Sequence, residues 1–263
     1  MIFAAYADQA GDTFGESCEV LASLGIKNLF IRSFNAQPIL DCSDEDCKEI
    51  LRTIGEHKLN ILGFVSDVGN RHPMYVRLDG EKLSRSILLA KYFGAQYLRI
   101  WPGKLARNLH RDWPKLHSFL AECLDKVAAA GLQAILEPTY GSFMCQKSMR
   151  SMVYEHLPIA KYLYDPVALA LGQRLDIVEY WREISVNVAV VELRDVIHDQ
   201  GLVPVGHGDM QWSKILPEIA PGSVLVLDPG LGYRYKGRVG KSETFKYAFE
   251  QCRSFLSEVK SAS

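Results

Sequence analysis

Four acidic residues each follow directly after a short apolar run. The runs with their acids read LQAILE, YLYD, VAVVE and VLVLD, and the acids are Glu137, Asp165, Glu192 and Asp228. Converging carboxylates repel one another and partly protonate unless a cation lies among them. An all-oxygen set selects a hard ion such as Mg2+ or Mn2+ over zinc. The pattern indicates a divalent-metal site; the alternative is that each acid caps the following helix or pairs with Arg99 or Arg194.

Eight apolar runs of strand length alternate with longer amphipathic segments. They are Ile2–Ala5, Asn28–Arg32, Asn60–Val65, Gln96–Trp101, Leu132–Glu137, Ile159–Tyr164, Val186–Glu192 and Ser223–Asp228. Nearly continuous apolar runs are typical of strands that are buried on both faces of a parallel sheet. Alternating strands and helices imply right-handed crossovers, and eight such units favour closure into a barrel.

The segments between these runs have helical spacing. Helices are predicted at Phe14–Leu24, Asp44–His57, Gly80–Phe93, Trp113–Ala130 and Ser242–Val259. Ser43 is suited to cap the second of them, because a serine side chain accepts a backbone N–H of the first turn. Gly25, Gly94 and Gly131 stand where a left-handed residue ends a helix before the next strand.

These observations predict one (β/α)8 TIM barrel domain over residues 1–263. The length is close to the roughly 250 residues typical of that fold. An open doubly wound sheet is disfavoured because the first turn, YADQAG, lacks the G-x-G-x-x-G pattern. In a barrel of this kind the active site lies on the loops that follow the strands, where the four acids are expected.

Composition excludes several classes of function. The net charge is −1, with 30 basic and 31 acidic residues, so no basic surface for nucleic acid is indicated. The sequence contains no run of about 18 apolar residues, the length that indicates a membrane span. The start, MIFAAYADQAGD, does not resemble a signal peptide. We expect a cytoplasmic protein whose six cysteines are reduced, since none forms a C-x-x-C pair. The sequence leaves open whether it forms a homo-oligomer.

Local motifs over nearly the whole chain resemble the sugar phosphate isomerase/epimerase family of the xylose isomerase-like TIM barrel superfamily. The similar segments are LEPTY at Glu137, YLYDPVAL at Asp165, VVELRD at Glu192–Asp195 and VPVGHGDMQWSKIL at Val203–Leu216. The last is similar to the family's G-x-G-x-hydrophobic-x-Trp turn. The resemblance implies a sugar-type substrate and a divalent metal cofactor, Mn2+ or Mg2+.

The resemblance also implies roles for the four acids. Glu137 matches a metal-binding glutamate that often doubles as an acid/base, and Asp165 matches a metal-binding aspartate. Glu192 stands where many members have a metal-binding histidine, and Asp228 stands where they have a catalytic and metal-binding glutamate. Ala168 replaces a substrate-binding histidine. Four ionised carboxylates on one divalent ion would leave a net charge of −2, which arginines, a second ion or one protonated acid could offset.

Further polar and aromatic residues near the predicted strand ends are candidates for substrate binding. Cationic side chains could hold an anionic group, histidine could bind hydroxyls or phosphate, and aromatic rings could wall the pocket. The candidates are Arg99, Lys104, Arg194, Arg234, His207, Trp101 and Tyr6. Each of them could equally be an ion-pair, surface or packing residue.

The predicted function is a metal-dependent isomerase or epimerase of a small sugar, sugar phosphate or related polyhydroxy carbonyl compound. The metal would polarise the carbonyl and stabilise the enediolate, with Glu137 and Asp228 as the acid/base pair. A lyase on the same scaffold would share the enediolate step. A DNA-repair endonuclease is disfavoured, because few histidines stand near strand ends. Changes at Glu192, Asp228 and Ala168 also allow a non-catalytic barrel that binds a small ligand.

Overall fold

A computed structural model gives the fold and describes residues 1–105, 108–170, 176–231 and 239–262. Eight parallel strands close into a barrel in which each strand pairs with the strands before and after it in the sequence, and the first pairs with the last. The strands are β1 Ile2–Tyr6, β2 Asn28–Ile31, β3 Asn60–Val65, β4 Tyr97–Ile100, β5 Gln133–Leu136, β6 Lys161–Tyr164, β7 Val188–Leu193 and β8 Val224–Leu227. The predicted parallel barrel is confirmed.

Nine α-helices lie between and after the strands within the described ranges. They are α1 Phe14–Ser23, α2 Asp44–His57, α3 Gly80–Tyr92, α4 Leu109–Ala129, α5 Lys147–His156, α6 Pro166–Ala170, α7 Ile177–Ile184, α8 Trp212–Ile215 and α9 Lys241–Ala262. Two short hairpins decorate the loops: Ser33–Phe34 pairs with Gln37–Pro38, and Asp195–Ile197 pairs with Gly201–Val203. None of the described helices combines the length and the apolar character that a membrane span requires.

The helix boundaries follow from local chemistry. Ser43 caps α2 through a capping box with Asp46, in which each side chain binds the other residue's backbone N–H. Gly25, Gly94 and Gly131 all have positive φ, between 71 and 79°, just after α1, α3 and α4. They supply the left-handed residue predicted for these helix ends.

Helix α4 begins earlier than the sequence pattern predicts. It starts at Leu109 instead of Trp113, because the side chain of Asn108 accepts the backbone N–H of Arg111 and caps an additional turn. A start at Trp113 would put Pro114 in the first turn, where proline is favoured. The cap at Asn108 places that proline inside the helix instead.

Two separate apolar layers build the core. The larger lies between the strands and the surrounding helices. The smaller consists of strand residues that fill the barrel interior: Ala4, Tyr6, Phe30, Leu62, Val65, Ile135, Leu163, Val190, Val224 and Val226. Because side chains alternate between the two faces of a strand, the next inward-facing residue comes two positions later. This alternation determines which side chains form the floor of the barrel mouth.

Candidate active site

The four predicted acids all continue the inward-facing rows of the barrel. Each of them comes two residues after an interior apolar side chain: Ile135 precedes Glu137, Leu163 precedes Asp165, Val190 precedes Glu192, and Val226 precedes Asp228. All four are buried, with 7% or less of the residue exposed. Glu192 differs slightly from prediction, because it lies inside β7 rather than at its end.

The same rule places cationic residues in this layer. Arg32 lies two residues after Phe30, and Arg99 lies two residues after Tyr97, which packs against the interior cluster. Arg194 lies two residues after Glu192. The apolar pattern of the sequence marks Arg32 only as the end of a strand. Its spacing of two residues from Phe30 is the signal that could have placed it in the site.

Arg32 joins the ends of β1, β2 and β8. Its Nη1 atom lies 2.9 Å from Oδ2 of Asp228, and its Nη2 atom lies 3.4 Å from Oδ1 of the same carboxylate. Its Nε donates to Oδ2 of Asp8 at 2.9 Å. The guanidinium also lies 4.2 Å from the centre of the Tyr6 ring. This bidentate pairing fixes the carboxylate of Asp228. Bidentate hydrogen bonds between arginine and a carboxylate are stronger than hydrogen bonds between neutral groups.

Arg99 holds Glu137. Its Nη1 donates to Oε2 of Glu137, and its Nη2 donates to the backbone oxygen of Ser66 at 2.9 Å. The guanidinium lies 4.7 Å from the centre of the Trp101 ring. Trp101, predicted to wall the substrate pocket, therefore supports Arg99.

Arg194 bridges two further acids. Its Nη1 lies 2.9 Å from Oδ2 of Asp165 and 3.5 Å from Oε1 of Glu192. The other oxygen of Asp165 accepts the backbone N–H of Ala168 at 3.1 Å, inside α6. Asp165 thus both pairs with an arginine and accepts a helix N–H, which is the alternative to metal binding that the sequence left open.

Glu192 and Asp228 form a hydrogen-bonded carboxyl pair with opposite pKa shifts. Burial raises the pKa of Glu192 well above its ordinary value, and the charges of Asp165 and Asp228 raise it further. Burial also acts to raise the pKa of Asp228, but Arg32, Arg194 and the hydrogen bond from Glu192 outweigh it, and the pKa lies below its ordinary value. A proton in this pair is therefore favoured on Glu192, and the negative charge is favoured on Asp228.

Tyr6 completes this pair from β1. Its hydroxyl donates to Oε2 of Glu192 at 2.9 Å, and the residue is fully buried. Burial raises the pKa of Tyr6 well above its ordinary value, and the neighbouring acids Glu192 and Glu137 add to the effect. Tyr6 consequently remains a hydrogen-bond donor and orients the carboxyl group of Glu192.

The donor set does not fit a divalent metal as it is arranged. Oxygen ligands suit a hard cation, but every one of the four carboxylates already has a guanidinium within 3.5 Å. Within residues 1–105, 108–170, 176–231 and 239–262, no group of three or more histidine, cysteine, aspartate or glutamate side chains could hold a metal ion. The four predicted ligands are therefore held by arginine side chains in this structure.

The guanidiniums cover the acids on the solvent side. The side chains of Arg32, Arg99 and Arg194 are 30%, 13% and 19% exposed, more than the carboxylates that they bind. A cavity of about 610 Å3 adjoins Arg32 and Arg99, with Asp8, Ser66 and Arg85 also in its wall. A ligand in this cavity meets the arginines before it meets the acids.

The remaining predicted substrate-binding residues lie apart from this cluster. Lys104 is exposed on the loop after β4, where its backbone pairs with Ser142. His207 is exposed in the turn after the second hairpin. Arg234 falls outside the described residues. The structure thus brings together Tyr6, Arg99, Trp101 and Arg194 from the predicted substrate-binding set.

The glycine-rich turn around His207 serves the carboxylate of Asp195. This buried carboxylate accepts four backbone N–H groups, from Val196, Gly206, Gly208 and Met210, at 2.9 to 3.2 Å. Trp212, in the same motif, donates its indole N–H to the backbone oxygen of Arg194 at 2.8 Å. The motif therefore fixes the backbone beside Arg194 instead of presenting His207 to a ligand.

No family model matches this sequence, and no curated protein matches it either. Solved structures do match its fold. An IolI protein with a bound zinc atom has a TM-score of 0.76 and 15% identity, over 98% of this chain and 99% of that one. An L-ribulose 3-epimerase has a TM-score of 0.73 and 13% identity, over 99% and 96%.

A third neighbour is a xylose isomerase-like TIM barrel protein from Mycobacterium smegmatis in complex with magnesium. It has a TM-score of 0.67 and 13% identity, over 97% of both chains. The neighbours span nearly all of this chain at low identity, which shows the fold. The predicted (β/α)8 TIM barrel fold is confirmed, and proteins of this fold that are described as xylose isomerase-like are among its structural neighbours.

Proposed function

We propose that this protein is an isomerase or epimerase of a small sugar, sugar phosphate or related polyhydroxy carbonyl compound. The reaction is proton transfer next to the carbonyl, through an enediolate. The observation that carries the proposal is the hydrogen-bonded pair of Glu192 and Asp228, whose pKa values are shifted in opposite directions. Two carboxyl groups whose surroundings separate their pKa values are suited to act as acid and base.

Asp228 is the base in this proposal. Arg32 and Arg194 keep it ionised, so it can remove a proton from the carbon next to the substrate carbonyl. The electron pair of the broken C–H bond then forms the enediolate. Returning the proton to the other face of that carbon gives an epimer, and returning it to the neighbouring carbon gives an isomer.

Glu192 is the acid that serves the substrate oxygen. Its raised pKa favours the protonated form, and Tyr6 holds it through a hydrogen bond of 2.9 Å. The sequence predicted Glu137 as the partner of Asp228. The geometry favours Glu192, because its side chain shares a hydrogen bond with Asp228, whereas Glu137 is bound by Arg99. Glu137 remains the predicted second carboxylate at the substrate.

A non-catalytic ligand-binding barrel is the second candidate function. The observation that favours it is that every one of the four acids is tied to an arginine. Such pairing stabilises fixed charges and would also suit a site that only binds. A lyase that shares the enediolate step stays a prediction, since the acid/base pair serves either reaction.

Solvent exchange tests the proposal whichever product the reaction forms. We would incubate the protein in deuterium oxide with a panel of aldoses, ketoses and their phosphates, and follow loss of the proton next to the carbonyl by NMR. At least one compound should exchange, and Asp228→Asn should slow that exchange at least a hundredfold. The matched control is Asp125→Asn, at an exposed position of α4. Exchange that is equally fast in Asp228→Asn would refute the role of Asp228.

A further inference from the structure

The barrel mouth contains buried hydrogen-bonding atoms without partners. Among the described residues these include Nε of Arg99, Nε of Arg194, Nε1 of Trp101 and Oδ1 of Asp8. Buried polar groups are nearly always hydrogen-bonded, so each exception calls for a ligand or another explanation. Three of these four atoms are N–H donors beside the carboxylate cluster. This indicates that an oxygen-rich ligand accepts their hydrogen bonds.

Arg99 and Arg194 are rigidly placed for this purpose. Arg99 uses both Nη atoms and Arg194 uses Nη1 on acids or a backbone oxygen, and the buried Nε–H of each has no partner. Arg99 is further held against the Trp101 ring, and the backbone beside Arg194 is held by Trp212. Donors fixed in advance stabilise developing negative charge most effectively, because they need not reorganise during the reaction.

We propose that Arg99 and Arg194 bind the substrate oxyanion through their Nε–H groups and take the place of a divalent cation at this site. The inference rests on the proposed function for the identity of that oxygen. Its geometric basis is independent, because the guanidiniums already lie against the carboxyl oxygens that a cation would need as ligands. Arg99 and Arg194 are thus catalytic residues that touch the reacting oxygen.

Binding of oxalate, a planar dianion that resembles an enediolate, tests the proposal without turnover. Isothermal titration of the wild type in excess EDTA should show one oxalate site. Arg194→Met and Arg99→Met should each weaken binding at least tenfold. The matched control is Arg150→Met, because Arg150 is also buried and paired with Glu183 but lies outside the cluster. This control should bind oxalate like the wild type.

A second measurement addresses the cation directly. The electron paramagnetic resonance signal of free Mn2+ should persist when the wild type is added at equal concentration, because no site takes up the ion. If the methionine variants do not fold, Arg99→Lys replaces them in the oxalate titration. It keeps a positive charge beside Glu137 but lacks Nε–H, and should also weaken oxalate at least tenfold.

Several outcomes would overturn the inference. They are uptake of one equivalent of Mn2+ by the wild type, oxalate binding that requires Mn2+, no oxalate binding, or unchanged binding in the folded arginine variants. Failure of the proposed function is distinguishable from these. If oxalate binds through the arginines in EDTA while no carbonyl compound exchanges its proton, the oxyanion site stands and the isomerase proposal fails.

Discussion

Arg194 and Asp165 form an ion pair across the ends of β6 and β7, with Nη1 and Oδ2 2.9 Å apart. Asp165 is fully buried, whereas the Arg194 side chain is 19% exposed. Burial raises the pKa of Asp165, and the charge of Arg194 opposes that effect. The pKa of Asp165 lies above its ordinary value, and without Arg194 it would rise further.

Arg194→Met should consequently destabilise the protein. Removing one partner of a buried pair leaves an uncompensated charge and costs about 3–5 kcal/mol. In urea unfolding at pH 7, we expect the free energy of unfolding to fall by an amount near the lower end of that range. The fall should be smaller at acid pH, where Asp165 is protonated. The control is Lys147→Met, which breaks the exposed pair with Glu179 and should cost less than about 1 kcal/mol. Equal losses in both variants would contradict this account.

Glu192→Gln should change the pH dependence of stability. Because the pKa of Glu192 is raised in the folded state, that state binds more protons than the unfolded chain above the ordinary value of 4.5. The contribution of Glu192 to the free energy of unfolding therefore falls as the pH rises above 4.5, by at most about 1.4 kcal/mol per pH unit. Glutamine removes this loss.

The unfolding free energy of Glu192→Gln, relative to the wild type, should thus increase from about pH 5 to about pH 8. Glutamine can still accept from Tyr6 and donate to Asp228, which isolates the titration from the hydrogen bonds. Glu250→Gln, at an exposed site on α9, provides the comparison and should follow the wild-type curve. A flat difference for Glu192→Gln across this range would show that Glu192 is ionised in the folded protein.

Gly208→Ala should disrupt the turn that Asp195 holds. A Cβ at position 208 would lie 2.2 Å from Oδ1 of Asp195 and 2.6 Å from the backbone oxygen of Val196. Such overpacking costs about 1–3 kcal/mol, and loss of the hydrogen bonds to Asp195 adds to it. Gly55→Ala, exposed in α2 with nothing within 4 Å, should instead stabilise by up to about 1 kcal/mol. Thermal unfolding of the two variants should move in opposite directions.

Buried cysteines should be unreactive in the native protein. Burial raises the pKa of Cys18 and of Cys252 to about 12 and that of Cys42 to about 11. Thiolate is the reactive form, so these three thiols should not react with a thiol reagent such as DTNB at about pH 8. In denaturant, all three thiols should react with DTNB. Rapid native reaction of Cys18, located by mass spectrometry, would show that α1 opens readily.

The sequence alone determined the barrel and the positions of its acids. Apolar runs that end in Glu137, Asp165 and Asp228 identified three strands, and Gly25, Gly94 and Gly131 identified helix ends. These signals are local, because burial on both faces of a strand and the left-handed end of a helix are each set by neighbouring residues. The two-residue alternation inside a barrel is local too, and it would have placed Arg32 in the site.

Tertiary structure decided which charges meet. Glu192 lies opposite Val226 in the pairing of β7 with β8, which brings it to Asp228. The pairing of β6 with β7 shifts register between Tyr162 and Leu163. Asp165 follows β6 and Arg194 follows β7, and the two side chains form an ion pair at the carboxyl ends of these strands. The sequence allowed these acids to be metal ligands or partners of arginine. The choice depends on register and on distances between strands far apart in the chain, which no local pattern encodes.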